Sequence, residues 1–280
     1  MKLVWFETLK TFSRWRTYIG FGVIALIVII TEVVMKLSAD EILYRMLRSL
    51  EKDFLISGNV LNGWFVTAFI MNTLHIHMPF LITLVAGDVV SSEATSGTVR
   101  LLLIRPPSRS RIITAKYITT FFYTAGLVLF LGLLCILLGL TLFGSGDLII
   151  HHYGRFGVIY IEEAEIPIRM LFAFMAAIWS MMAVASIAFL LSTLAENSVG
   201  PIIGTMAVVV VFLVIGNFPL DFFRSLKPYL FTTYLTFWQQ FLDDPIPWRQ
   251  IGSSAAILGL HSILLFLIAL GVYARKDIKS

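Results

Sequence analysis

The stretch GDVVSSEATSGTVRLLLIRPPSRSRIITAK, residues 87–116, lies between two long apolar runs. It carries Arg100, Arg105, Arg109, Arg111 and Lys116 beside the apolar run Leu101–Ile104. Its apolar flanks place it at one end of two membrane helices. Working outward, the chain has 280 residues, 58% hydrophobic and 14% charged. That excludes an ordinary soluble domain, which is about half apolar and a quarter charged. Six runs are long enough to cross a bilayer: 18–35, 64–90, 112–143, 167–191, 199–217 and 251–274. The runs are continuous rather than alternating, which argues for helices over a β-barrel. The fold class expected is an all-α membrane protein with six transmembrane helices. Pro79 is expected to kink the second span.

Orientation follows the Lys and Arg count. The 91–116 loop holds the five bases named above, whereas the 144–167 loop holds Arg155 alone. Both termini and the quoted stretch are therefore expected on the cytoplasmic side. No cleavable signal peptide is evident. The start, MKLVWFETLKTFSRWR, reads as an amphipathic interfacial helix over 1–17. Trp5, Phe6, Leu9 and Phe12 take one face, and Glu7, Lys10 and Arg14 the opposite one. The membrane domain then runs over 18–274, with a cytoplasmic tail at 275–280. The 36–62 loop reads as partly helical. An aromatic outer hairpin at 218–250 reads as short helices at or dipping into the interface. The net charge of +4 sits beside the membrane and is not a nucleic-acid signature. Cys135 has no partner for an intramolecular disulfide.

Within the quoted stretch, Asp88 and Glu93 end the second span. Gly97 and Thr98 allow a turn or a close backbone approach. Pro106-Pro107 stops the short apolar helix before them. Ser108 or Ser110 can cap the third span. The product is a lever at the end of two membrane helices, with polar groups facing the cytosol.

These residues resemble the cytoplasmic loop of the ABC-2 type ABC transporter permease family. The likeness rests on Glu93, Gly97-Thr98, Leu101-Leu102, Pro107-Ser108-Arg109 and Lys116. It extends to the whole layout, including a small polar inner loop over 192–197. Ala94 stands where relatives often carry a base. The resemblance implies the membrane-spanning subunit of an ATP-driven exporter in a prokaryotic plasma membrane. Two permeases, identical or different, would work with two separate ABC ATPase subunits. Glu93, Gly97, Thr98 and Arg109 would couple the permease to the ATPase through a loop at about 91–111. Glu93 is expected on the surface, bracing the loop and meeting a basic groove of the ATPase. Independently, no G-x-x-x-x-G-K-S/T phosphate loop occurs in the chain. No cofactor of its own is expected, since the partner would bind the ATP. Rival readings are an ATP-independent channel or carrier and a membrane-embedded enzyme.

Other polar residues invite a site. His75 and His77 lie mid-span but are two apart, so they point to opposite sides. Asn72, His75, Pro79 and Thr83 form an approximate stripe, facing a pathway or a partner permease, or simply hydrogen-bonded within the bundle. His151-His152 near Glu162, Glu163 and Glu165 lacks metal-ligand spacing and reads as a solvated loop. Gly144-Ser145-Gly146-Asp147 reads as a glycine-rich turn. H-E-x-x-H and G-x-S-x-G are absent, so no catalytic residue is assigned.

Overall fold

The computed structural model describes residues 2–41, 60–95, 108–151, 158–218 and 221–275. Helix α1 (Lys2–Phe12) ends in a tight turn at Ser13-Arg14, and α2 (Trp15–Leu37) follows. The amphipathic first helix is thus shorter than expected, and the first long helix starts earlier. The expected helicity of 36–62 falls largely on residues outside those described.

The second apolar run is a broken pair, α3 (Gly63–Leu74) and α4 (Met78–Ala86), bent by 58°. Pro79 lies in the first turn of α4, where its missing N–H is harmless and the chain ahead of it cannot continue a helix. Residues 75–77 form the break. Asn62 caps α3, its Oδ1 accepting from the Trp64 and Phe65 amides at 3.1 Å. A turn at 87–90 leads to the short α5 (Ser91–Thr95).

Helix α6 (Arg109–Phe143) occupies the third run. Ser108 stands at its N-cap position without a side-chain bond to the helix. Gly144 ends it with φ of +73°, a left-handed conformation suited to glycine. Helices α3 and α6 cross in backbone contact at Gly63 and Gly139. A Cβ on Gly63 would lie 2.5 Å from the Gly139 carbonyl carbon.

The 144–167 segment is not simply a loop. Strands β1 (Leu148–His151) and β2 (Val158–Ile161) pair antiparallel, with Leu148 opposite Ile161. Both runs are rich in β-branched residues, which fit a pleated surface. Asp147 braces the hairpin, accepting from the Tyr160 hydroxyl at 2.9 Å and the Glu163 amide at 3.0 Å. Among the described residues the fold is therefore mainly helical with one small two-stranded sheet.

Helices α7 (Ile166–Leu194), α8 (Val199–Asn217) and α10 (Trp248–Arg275) complete the long helices. Five helices, α2, α6, α7, α8 and α10, are each long and apolar enough to cross a membrane. The chain is a multi-pass, mainly helical membrane protein. Helix α7 is central: 67% of its most apolar window is buried, against 17% for α10.

Between α8 and α10 lie the short α9 (Asp221–Leu226) and three 3-10 turns at 227–229, 231–234 and 237–242. Phe237, Trp238 and Phe241 are buried, whereas Phe222 and Tyr229 are exposed. Arg169 of α7 secures the end of this segment, donating to the Asp243 carbonyl at 2.9 Å and to Asp244 Oδ1 at 3.3 Å.

Candidate functional site

The charged face of α1 is turned into the protein. Glu7 and Lys10 lie on one side of the helix, and Arg14, in the turn that follows, reaches the same region. Trp5, Phe6 and Leu9 are left exposed on the other. Helix α1 rests against α6 and reaches the 87–95 segment at the end of the broken pair.

Lys116, in the second turn of α6, is the centre. Its Nζ donates to Glu93 Oε1 at 2.5 Å, to Glu7 Oε2 at 2.9 Å and to the Val89 carbonyl at 3.2 Å. Lys10 also donates to Glu93. Arg14 Nη1 donates to Asp88 Oδ2 and Ser92 Oγ, each at 2.9 Å. Three acids, Glu7, Asp88 and Glu93, thus meet three bases, Lys10, Arg14 and Lys116, and the formal charges cancel. Glu7, Glu93 and Lys116 are 2%, 1% and 1% exposed. Charges so buried persist only when paired and hydrogen-bonded. Burial alone would raise the Glu93 pKa. The ammoniums of Lys116 and Lys10 outweigh it and hold the carboxyl below its ordinary range.

This corrects the expected surface position of Glu93. A carboxyl buried between two lysines cannot offer itself to a groove on another protein. Its role is to hold α1, α5 and α6 together. Asp88, an acid against the positive-inside trend, is explained by Arg14.

Two further contacts complete the site. Ser192 Oγ, at the end of α7, accepts from the Val90 and Ser91 amides at 3.1 and 3.0 Å. Arg109 Nη1 donates to the Ala274 carbonyl at 3.1 Å, tying the start of α6 to the end of α10. Gly97 and Thr98 lie outside the described residues. Of the four residues expected to couple to an ATPase, Glu93 and Arg109 are described, and they flank residues 96–107. The sequence reading left out Glu7, Lys10 and Arg14 as partners of the loop. Their regular spacing on one helical face was the available signal, but it looks the same for a solvated face.

Asn72 and His75 have partners within the chain. Gln239 Nε2 donates to Asn72 Oδ1 at 2.6 Å, and Trp238 Nε1 donates to His75 Nδ1 at 3.1 Å. Both donors belong to the 237–242 turn. Thr83 is fully buried and donates to the Phe80 carbonyl at 2.8 Å. Asn72 and His75 therefore hold the buried aromatic turn against the helix break, whereas Thr83 bonds within α4. Among the described residues, no three of His, Cys, Asp and Glu gather as metal ligands would.

Over residues 24–279 the sequence matches a family described as protein of unknown function, DUF2705. The chain belongs to the DUF2705 family. It is 29% identical over 205 residues to the uncharacterized protein YhcI of Bacillus subtilis (strain 168), covering 70% of this chain and 63% of that relative. The chain thus spans somewhat less than two thirds of the relative's length. In DUF2705 terms, the matched region takes in the partners from Asp88 onward and begins after Glu7, Lys10 and Arg14.

Proposed function

We propose that this chain is the permease subunit of an ATP-driven ABC exporter, coupled to a separate ATPase subunit and paired with a second permease. The six-span reading, with the broken pair counted as one span and both termini cytoplasmic, belongs to this proposal, as does the prokaryotic plasma membrane. One observation carries it. The described residues on either side of 96–107, the stretch with most of the permease-like motif, are clamped. One clamp is the Glu93–Lys116–Glu7 cluster, and the other is the bond from Arg109 of α6 to the Ala274 carbonyl of α10. A push on such a segment passes directly into α1, α6 and α10, three helices that could carry it into the membrane. A plain positively charged anchor needs no buried clamp. The alternating pathway would form between the two permeases, and ATP would be held by the partner.

The test is co-expression with a phosphate-loop ATPase, taken from a gene adjacent to that of this chain where one is found. Thr8 and Thr119, whose hydroxyls lie 3.2 Å apart, are replaced by cysteines in a Cys135→Ser background. Oxidation should lock α1 to α6, leave the complex assembled and suppress its ATP hydrolysis, with recovery on reduction. Hydrolysis indifferent to a fully formed lock, or no ATPase association at all, would sink the coupling reading.

A further inference from the structure

Helix α2 is apolar over most of its length, yet it carries Glu32 near its end. Glu32 is fully buried, and neither carboxyl oxygen has a hydrogen-bond partner. An acid inside a membrane span ordinarily pairs with a base or serves a function. The base to expect is Lys36, four residues on, since a glutamate placed before a lysine at this spacing is a favoured helical pair. Lys36 is drawn elsewhere. Its Nζ donates to the Leu142 carbonyl at 2.5 Å and lies 5.3 Å from the centre of the Phe143 ring. Leu142 belongs to the last turn of α6, where carbonyls have no partner inside the helix. Lys36 therefore ties the end of α2 to the end of α6.

No other base faces the carboxyl among the described residues. The buried thiol of Cys135 on α6 is near enough to feel its charge, but it is not a base. Helices α3 and α4, which also pack on α2, hold no titratable side chain. Tyr123 of α6 faces Gly20, and His77 borders Val23, Ile24 and Ile27, all nearer the start of α2. The charges of α1 meet Lys116, Glu93 and Asp88 at the other end. An ionised carboxylate buried without a partner costs far more than a neutral carboxyl in the same place, so the group takes up a proton. A hard cation such as Ca²⁺ would need roughly six to eight oxygen ligands, and no such acidic group gathers among the described residues. A proton needs no such shell.

We propose that Glu32 binds one proton and that Lys36 is the latch this proton controls. With Glu32 protonated, Lys36 stays on the Leu142 carbonyl and holds α2 to α6. With Glu32 ionised, Lys36 turns back to the carboxylate one turn away, and the two helix ends come free of each other. Neither oxygen is accessible in the packed arrangement, so release of the proton to water requires α2 to move. The latch belongs to this chain alone and does not rest on the exporter reading.

The full chain is placed in lipid nanodiscs in a Cys135→Ala background, with spin labels on cysteines replacing the exposed Leu37 and Thr141 at the ends of α2 and α6. Infrared spectra are taken at a mildly acidic pH, where an exposed carboxyl is ionised. Wild type should show the carbonyl band of a protonated carboxyl that makes no hydrogen bond, and Glu32→Gln should lack it. If Glu32→Gln does not fold, Glu32→Met identifies the band in its place. Raising the pH should remove the band and broaden the distribution of label distances together. The variant without the acid should keep one distance distribution at every pH. Lys36→Met should keep the band but show the broad distribution already at the acidic pH. Absence of the band, a band that survives alkali, label distances that respond to pH without Glu32, or a narrow distribution in Lys36→Met would each overturn the proposal.

Discussion

Replacing Lys116 by Met should destabilise the chain far more than a polar-loop substitution. The ammonium serves two carboxylates, at 2.5 Å from Glu93 and 2.9 Å from Glu7. All three side chains are at most 3% exposed. Without Lys116, Glu93 keeps Lys10, but Glu7 Oε2 loses its partner among the described residues. Stranding a buried charge costs about 3–5 kcal/mol. The midpoint, about 4 kcal/mol, lowers the folded-to-unfolded ratio roughly a thousandfold. Glu93→Gln should cost less, because Lys116 retains Glu7. The two substitutions share a bond, so the double variant should fall short of their sum by about 0.5–3 kcal/mol. The assay is equilibrium unfolding in mixed micelles, followed by tryptophan fluorescence and circular dichroism, for wild type, both singles and the double. Strict additivity would refute the argument, as would a Lys116→Met loss within the roughly ±0.5 kcal/mol of an ordinary surface change.

Two shorter expectations follow from the same contacts. The folded-state pKa of Glu93 is depressed, so its stabilising contribution is present above the ordinary carboxylate range and lost as pH falls through the depressed value. Wild type should therefore lose more stability on acidification than Glu93→Gln does, and parallel pH profiles would contradict this. Gly63→Val should separate α3 from α6, since even a Cβ at Gly63 would stand 2.5 Å from the Gly139 backbone. A loss of several kcal/mol is expected, within the range for strong overpacking, and an unchanged unfolding midpoint would contradict the crossing.

Much of the architecture was legible in the sequence, because lipid imposes a simple rule. A segment that crosses it must be long, apolar and internally hydrogen-bonded, and such runs stand out in the residue order. The bounds of α8, 199–217, coincide with the expected run, and Pro79 marks the broken pair. The amphipathic start was readable for the same reason, as was Gly144 ending α6. The short hairpin at 148–161 was missed because four-residue strands leave little periodicity to count. Other features depend on contacts between distant residues, which no local pattern encodes. Charge spacing grouped Glu7, Lys10 and Arg14 but left open whether they meet water or protein. Only the packing of α1 against α6 and α5 turned them inward, joining Glu7 to Lys116, Lys10 to Glu93 and Arg14 to Asp88. That placement moved Glu93 from the expected surface to the interior. Tertiary structure likewise separated two histidines that look alike in sequence, pairing His75 with Trp238 from 163 residues away and leaving His77 beside an apolar crevice. Secondary structure in a membrane follows from each segment's own backbone demand, whereas the partners of its polar side chains are set by which helices meet.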